Sequence, residues 1–140
     1  MIGGMKRLSA LTSTGLRLEA AAMPDLYARV YARRGSKALA RIAQVFGLNK
    51  SETARIFGVS RQALDEWYAK GVPMGRIGDV TRTQALANAL HDRFVPERLP
   101  QIVRSPLPGL DGATILAALR AHGTVAIFDL LDRAFSYTAA

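Results

Sequence analysis

The 140-residue sequence predicts an all-α protein. Apolar residues recur every three or four positions along most of the chain, which is the spacing of helices with one buried face. No stretch alternates convincingly between apolar and polar residues, as a half-buried strand does. Hydrophobic residues make up 49% of the chain, which is sufficient for a packed core.

The N-terminal third predicts a weakly structured segment followed by two helices. Residues 1–23 show little periodicity, and we expect a flexible N-terminal segment. Pro24, followed by an acidic residue, is typical of a helix entrance, and Gly35 is typical of a helix end. Ser36 can then cap a second helix, which is expected to end at Gly47.

Residues 48–73 (LNKSETARIFGVSRQALDEWYAKGVP) predict a helix-turn-helix unit. Such a unit has a small residue where its helices cross and, four positions later, a residue that tolerates positive φ. An apolar residue then fills the corner, and an N-cap starts the second helix, which needs inward-facing anchors. The residues at these positions are, in order, Ala54, Gly58, Val59, Ser60, Leu64 and Trp67.

The outer side of the second helix carries residue types that contact DNA. The N-terminal end of a recognition helix enters the major groove, where Arg61 suits guanine and Gln62 suits adenine. Asp65 and Glu66 repel phosphate, and they can only accept from cytosine or pair with a neighbouring Arg. The predicted DNA-binding residues are Lys50, Ser51, Ser60, Arg61, Gln62, Asp65, Glu66 and Lys70. The structural alternative is a helical corner that binds no nucleic acid.

The segment over residues 36–71 resembles the Xre and lambda-repressor class of helix-turn-helix regulators. The resemblance implies an Xre-like helix-turn-helix bundle, although the residues after Gly71 do not continue the usual five-helix pattern. We therefore predict a helix-turn-helix DNA-binding domain over residues 24–73.

The second half predicts four more helices separated by turns. Glycine and proline are frequent in residues 71–79, which we expect to form a linker before a helix capped by Asp79 or Thr81. A short helix is expected near 97–103, followed by a stiff, extended loop through Pro108. The last expected features are a turn at Asp111-Gly112 and two helices capped by Thr114 and Thr124, the first of which ends at Gly123.

The stretches VRSPLPGLDGATILAAL and IFDLLDRAF resemble the C-terminal toxin-binding domain of the Xre/MbcA/ParS antitoxin family. The sequence has Gln101-Ile102-Val103 where that family has a Trp, and Asp111-Gly112 in place of its Gly-Gly turn. The resemblance implies a small helical toxin-binding domain over residues 79–140. It also implies a type II antitoxin that obstructs the active site of a RES-domain, NAD-degrading toxin and represses its own operon by binding operator DNA.

The predicted toxin-binding residues lie mainly in the proline-containing loop and in the last helix. A stiff loop loses little entropy on binding, and Arg104 and Arg133 can pair with carboxylates of a partner. Phe135 and Tyr137 can serve as anchors, although Phe135 also suits a core position. The complete set is Arg104, Ser105, Pro106, Pro108, Leu110, Asp111, Gly112, Arg133 and Tyr137.

Charge and composition restrict the class of function. Residues 1–73 hold 12 Lys/Arg and 5 Asp/Glu, whereas residues 74–140 hold 7 and 6, so most of the +8 net charge lies in the first half. The chain has no cysteine, no apolar run long enough for a membrane span and no uninterrupted signal region, which predicts a cytoplasmic protein. No pattern indicates an enzyme, a metal, a cofactor or a small-molecule substrate.

Three hypotheses of function remain open from the sequence. The leading one is the antitoxin, expected as a homodimer because one recognition helix contacts only a half-site of the operator. The second is a stand-alone repressor with a C-terminal dimerisation domain. The third is a structural or adaptor protein whose helical corner contacts another protein.

Overall fold

The computed structural model describes residues 13–139, and side chains within residues 26–136. In this part of the chain there are seven α-helices and no strand, so the predicted all-α class is confirmed. The helices are α1 (Ser13–Phe46), α2 (Lys50–Phe57), α3 (Arg61–Lys70), α4 (Met74–Arg93), α5 (Leu99–Ile102), α6 (Ile115–His122) and α7 (Val125–Ala139). Short 3-10 turns occupy Pro96–Arg98 and Pro108–Leu110.

Helix α1 is continuous, so the predicted break at Gly35 is wrong. Gly35 is buried, and a Cβ added there would lie 2.8 Å from Cβ of Val72, so this glycine permits close packing and does not end the helix. The Ser36 hydroxyl donates to the Trp67 carbonyl oxygen at 2.6 Å and does not cap a helix. We predicted a flexible segment over residues 1–23. Residues 1–12 of it lie outside the described residues, and residues 13–23 are helical.

Helix α4 begins at Met74, so the linker predicted over residues 71–79 is reduced to three residues. The N-cap position is occupied by Pro73, and Asp79 and Thr81 lie inside the helix. Helix α4 packs extensively along α1 and buries five side chains: Val80, Thr83, Leu86, Ala87 and Leu90. This burial outweighs the low helix propensity of Gly75 and Gly78.

The remaining helices follow the predicted order. Thr114 caps α6 by accepting from the Ala117 amide, and Gly123 ends α6 at a φ of 71°. The predicted turn at Asp111-Gly112 is also present, with φ values of 55° and 84°. Helix α6 packs against both α2 and α7, which brings the second half of the chain onto the first.

One hydrophobic core extends through both halves of the chain. Leu39, Ile42 and Phe46 of α1 are fully buried in the same cluster as Leu86 and Leu90 of α4. Leu99, Val103 and Ile127 from later elements complete this cluster and are also fully buried. The core therefore crosses the predicted boundary between residues 73 and 79. None of the described helices is both long and apolar enough to cross a membrane.

Candidate nucleic-acid and partner-binding surfaces

Helices α2 and α3 are joined by a tight turn at Gly58, Val59 and Ser60. Gly58 adopts the left-handed conformation with a φ of 66°, and the Val59 amide donates to the Ala54 carbonyl oxygen at 3.0 Å. Ser60 caps α3 by accepting from the Ala63 amide at 3.0 Å. These bonds close the turn and fix where α3 begins.

Helix α3 is anchored by two apolar side chains, as predicted. Leu64 is fully buried and Trp67 is 6% exposed. The Trp67 ring contacts the Phe57 ring of α2, with centroids 6.1 Å apart and planes tilted by 60°. The anchors leave the opposite side of α3 facing outward, where Arg61, Gln62, Asp65, Glu66 and Lys70 are exposed. Tyr68 of the same helix is partly buried, and burial raises the pKa of its phenol.

Lys50 and Asp65 form an ion pair between α2 and α3. The Lys50 Nζ atom lies 2.7 Å from the Asp65 Oδ1 atom, and both side chains are about half exposed. Hydrogen bonding from Lys50 lowers the pKa of Asp65. The partner of Asp65 is therefore a lysine, so one predicted DNA-binding residue, Lys50, is already paired with a carboxylate. Ser51 is partly buried in the first turn of α2.

The sequence also contained an N-cap that we did not predict. The Asn49 side-chain oxygen accepts from the Glu52 backbone amide at 2.8 Å. The Glu52 carboxylate in turn accepts from the Asn49 backbone amide at 3.0 Å. This reciprocal pair is a capping box, and its sequence signal is Asn followed three residues later by Glu. It determines where α2 begins.

Arg104, predicted to contact a toxin, makes hydrogen bonds within the chain. Its guanidinium donates to the carbonyl oxygens of Phe46, Gly47 and Pro100 at 3.1, 2.8 and 2.6 Å. It also donates to both carboxylate oxygens of Glu52, and the shortest of these bonds is 2.8 Å. Hydrogen bonding from Arg104 is the main cause of the lowered pKa of Glu52. Arg104 thus joins the end of α1, α5 and the capping box of α2.

The predicted partner-binding loop is closed on itself. The Leu107 amide donates to the Ala113 carbonyl oxygen, and the Gly112 amide donates to the Leu107 carbonyl oxygen. Ser105 donates its hydroxyl to the Gln101 carbonyl oxygen at 2.8 Å. Pro106, Pro108, Asp111 and Gly112 are exposed, whereas Leu110 is partly buried against the core. The loop therefore presents its prolines and its turn on the surface.

The last helix supplies the other predicted contacts. Arg133 is exposed on α7. The Phe135 ring is partly buried and meets the Phe94 ring edge-on, with centroids 6.3 Å apart. The Arg93 guanidinium lies 4.4 Å from the centroid of the same Phe135 ring, so this ring serves packing within the chain. The Tyr137 side chain lies outside the described residues.

Arg76 was assigned to the linker from the sequence, yet the structure places it against the helix pair. Its guanidinium lies 5.2 Å from the centroid of the Trp67 ring and donates to the Phe57 carbonyl oxygen. No local pattern identifies this residue, because its partners Phe57 and Trp67 belong to two other helices.

Comparison with protein-family models, curated proteins and solved structures finds no match to this chain. The assignment of function therefore depends on the geometry and charge of the two surfaces.

Proposed function

We propose that this protein is an antitoxin that binds operator DNA through α3 and neutralises a RES-domain, NAD-degrading toxin through the loop over residues 105–112 and α7. The observation that carries the DNA-binding part is the set of exposed polar side chains on α3, with Arg61 and Gln62 in its first turn. A helix supported in this way can enter the major groove and offer two hydrogen bonds each to guanine and adenine.

Charge supports nucleic acid as the partner of the first half. Residues 1–73 carry a net charge of +7, and such an excess attracts a polyanion through long-range electrostatics. Binding of this kind is strongest at low ionic strength, because each phosphate contact releases a counterion. We place the protein in the cytoplasm on this basis, where operator DNA is accessible.

The shape of the loop supports a protein partner for the second half. Exposed prolines and a turn held by internal hydrogen bonds lose little conformational freedom on binding. The Pro108–Leu110 turn packs against α7, the helix that exposes Arg133. The resemblance of this segment to the Xre/MbcA/ParS toxin-binding domain is the reason for proposing a RES-domain toxin as the partner.

A homodimer is part of the proposal because two recognition helices are needed for a full operator site. The middle of α1 exposes four large apolar side chains at helical spacing, each between 41% and 55% exposed: Leu26, Tyr27, Val30 and Tyr31. A continuous exposed row of this kind is typical of interaction surfaces.

The test separates the two proposed activities. The double variant Arg61→Ala with Gln62→Ala is expected to lose binding to the DNA upstream of its own gene, while it still restores growth and NAD in cells that express the neighbouring toxin. A double variant that loses both activities would contradict the assignment to separate surfaces. A wild-type chain that binds neither DNA nor the toxin would refute the proposed function.

One observation favours a stand-alone repressor as the second candidate. Arg104, a residue expected to meet the toxin, is held by α1, α5 and Glu52 within the chain. Sequence-specific DNA binding without a stable complex with the product of the neighbouring gene would support this candidate.

A further inference from the structure

A basic cleft of about 370 Å³ lies beside the turn between α2 and α3. Its cationic lining residues are Arg55 from α2, Arg61 from α3 and Arg120 from α6. The other lining residues are Ser51, Ala54, Gly58 and Val59, none of which is acidic. Arg120 belongs to the second half of the chain, so both halves contribute to the cleft.

None of these three arginines has a carboxylate within 4 Å in the described part of the chain. Two acidic residues line neighbouring clefts together with Arg120, namely Glu52 and Asp79. Each of them already has another partner: Glu52 binds Arg104 at 2.8 Å, and Asp79 binds Arg82 at 2.7 Å. At longer range, Glu52 interacts electrostatically with Arg55, and Asp65 with Arg61. These interactions only partly offset three arginines that have no direct carboxylate contact among the described residues, so the cleft keeps a net positive charge.

Three guanidinium groups around one cleft repel one another, and an anion placed between them relieves the repulsion. The cleft also lies at the end of α3 where backbone amides and the helix dipole favour negative charge. Guanidinium groups bind phosphate oxygens with paired hydrogen bonds, which makes a phosphodiester the best-matched anion.

We propose that Arg55 and Arg120 bind a backbone phosphate of the DNA whose bases α3 contacts, so that the second half of the chain is part of the DNA-binding surface. This inference rests on the proposed function and adds to it a phosphate site that is not formed by the helix pair alone. Arg61, at the edge of the cleft, then links phosphate binding to base recognition. The contact sets the distance of α3 from the DNA backbone and carries no sequence information itself.

The experiment measures the affinity of the full chain for a short random-sequence DNA duplex over a series of NaCl concentrations. The test variant is Arg120→Gln, and the matched control is Arg98→Gln, which removes the same charge from an exposed residue that does not line the cleft. Arg120→Gln is expected to weaken binding several-fold at low salt. Its slope of log K against log salt should be smaller than that of the wild type by about 0.9, which is the contribution of one phosphate. Arg55→Gln should give the same direction of change.

The outcomes separate this inference from the proposed function. Wild-type binding with an unchanged slope in Arg120→Gln would overturn the inference and leave the proposed function intact. Equal losses in Arg120→Gln and Arg98→Gln would also overturn it, because net charge alone would then explain the effect. A wild-type chain that does not bind the duplex at low salt would refute the proposed DNA binding itself. Circular dichroism of both variants checks that the helices are retained.

Discussion

The Arg104 Nη2 atom lies 2.8 Å from the Glu52 Oε1 atom, which joins the segment after α5 to the first turn of α2. Glu52 has a second role in the capping box with Asn49, so one carboxylate both starts α2 and holds this segment. Arg104 meanwhile saturates carbonyl oxygens at the C-terminal end of α1. Arg104, which we predicted to contact a partner, thus also stabilises the packing of α1, α2 and the segment after α5.

Replacing Arg104 with Gln is expected to lower the free energy of unfolding by about 1–3 kcal/mol, because a charge-assisted network is lost at a partly exposed site. Arg104→Lys should recover only part of this loss, since one ammonium group cannot reach the same set of acceptors. Urea denaturation measures the effect, with Arg98→Gln as a surface control expected to stay within about 0.5 kcal/mol of the wild type. Equal stability of Arg104→Gln and the control would show that the network contributes nothing.

Acid should weaken the interaction between Arg104 and Glu52. The pKa of Glu52 is lowered in the folded protein, so its ionisation stabilises the fold above the ordinary glutamate pKa of about 4.3. This contribution is lost as pH falls through the lower, folded-state pKa. Glu52→Gln retains a side-chain oxygen for the capping box but has no charge to lose. Its unfolding free energy should therefore fall less steeply below about pH 4.3 than that of the wild type. If the unfolding free energies of the wild type and Glu52→Gln fell in parallel with pH, Glu52 would not be the source of the acid sensitivity.

Releasing Lys50 should strengthen DNA binding. Lys50 is paired with Asp65 at 2.7 Å, so the carboxylate both neutralises the charge of a predicted DNA-binding residue and repels phosphate itself. Asp65→Asn is expected to raise affinity for random-sequence DNA several-fold at low salt and to steepen the salt dependence. Titration of labelled duplex measures both quantities.

Glu66→Gln is the matched control for charge on the same helix, because Glu66 has no ion-pair partner among the described residues. An identical gain in both variants would show that pairing with Lys50 is irrelevant.

Two glycines with positive φ should differ sharply in their tolerance of alanine. Gly71 has a φ of 107° and a ψ of 161°, a region that is essentially restricted to glycine, and an added Cβ would lie 2.4 Å from the Ala32 Cβ. Gly58 has a φ of 66°, and an added Cβ would meet nothing within 4 Å. Gly71→Ala is expected to cost roughly 3 kcal/mol and Gly58→Ala about 1 kcal/mol. If thermal or urea unfolding gave similar losses of unfolding free energy for both variants, α1 would have to shift easily away from residue 71.

Local patterns predicted the helix pair well, because its geometry depends on residues that are neighbours in sequence. Gly58, Ser60 and Trp67 each have the role that their type and spacing predict. The capping box at Asn49 was available from the same kind of pattern.

Gly35 was misinterpreted because a glycine needed for close packing looks the same in sequence as one that ends a helix. The linker prediction over residues 71–79 failed for a related reason. Tertiary burial of α4 against α1 decided its conformation, and helix propensity did not. Arg104 binds Glu52 and Gly47, and Arg120 lines a cleft with residues of α2 and α3; these neighbours lie more than 50 residues earlier in the sequence, so no local pattern indicates them.

The shared core has a consequence for how such chains diversify. Helix α1 lies before the helix pair and α4 lies after it, yet each buries its apolar face against the other. Recombination that broke the chain near Pro73 and joined it to an unrelated tail would leave both faces unfilled. Substitutions in α1 and α4 should accordingly arise as compensating pairs, and the segments that contain these two helices should be inherited as a unit.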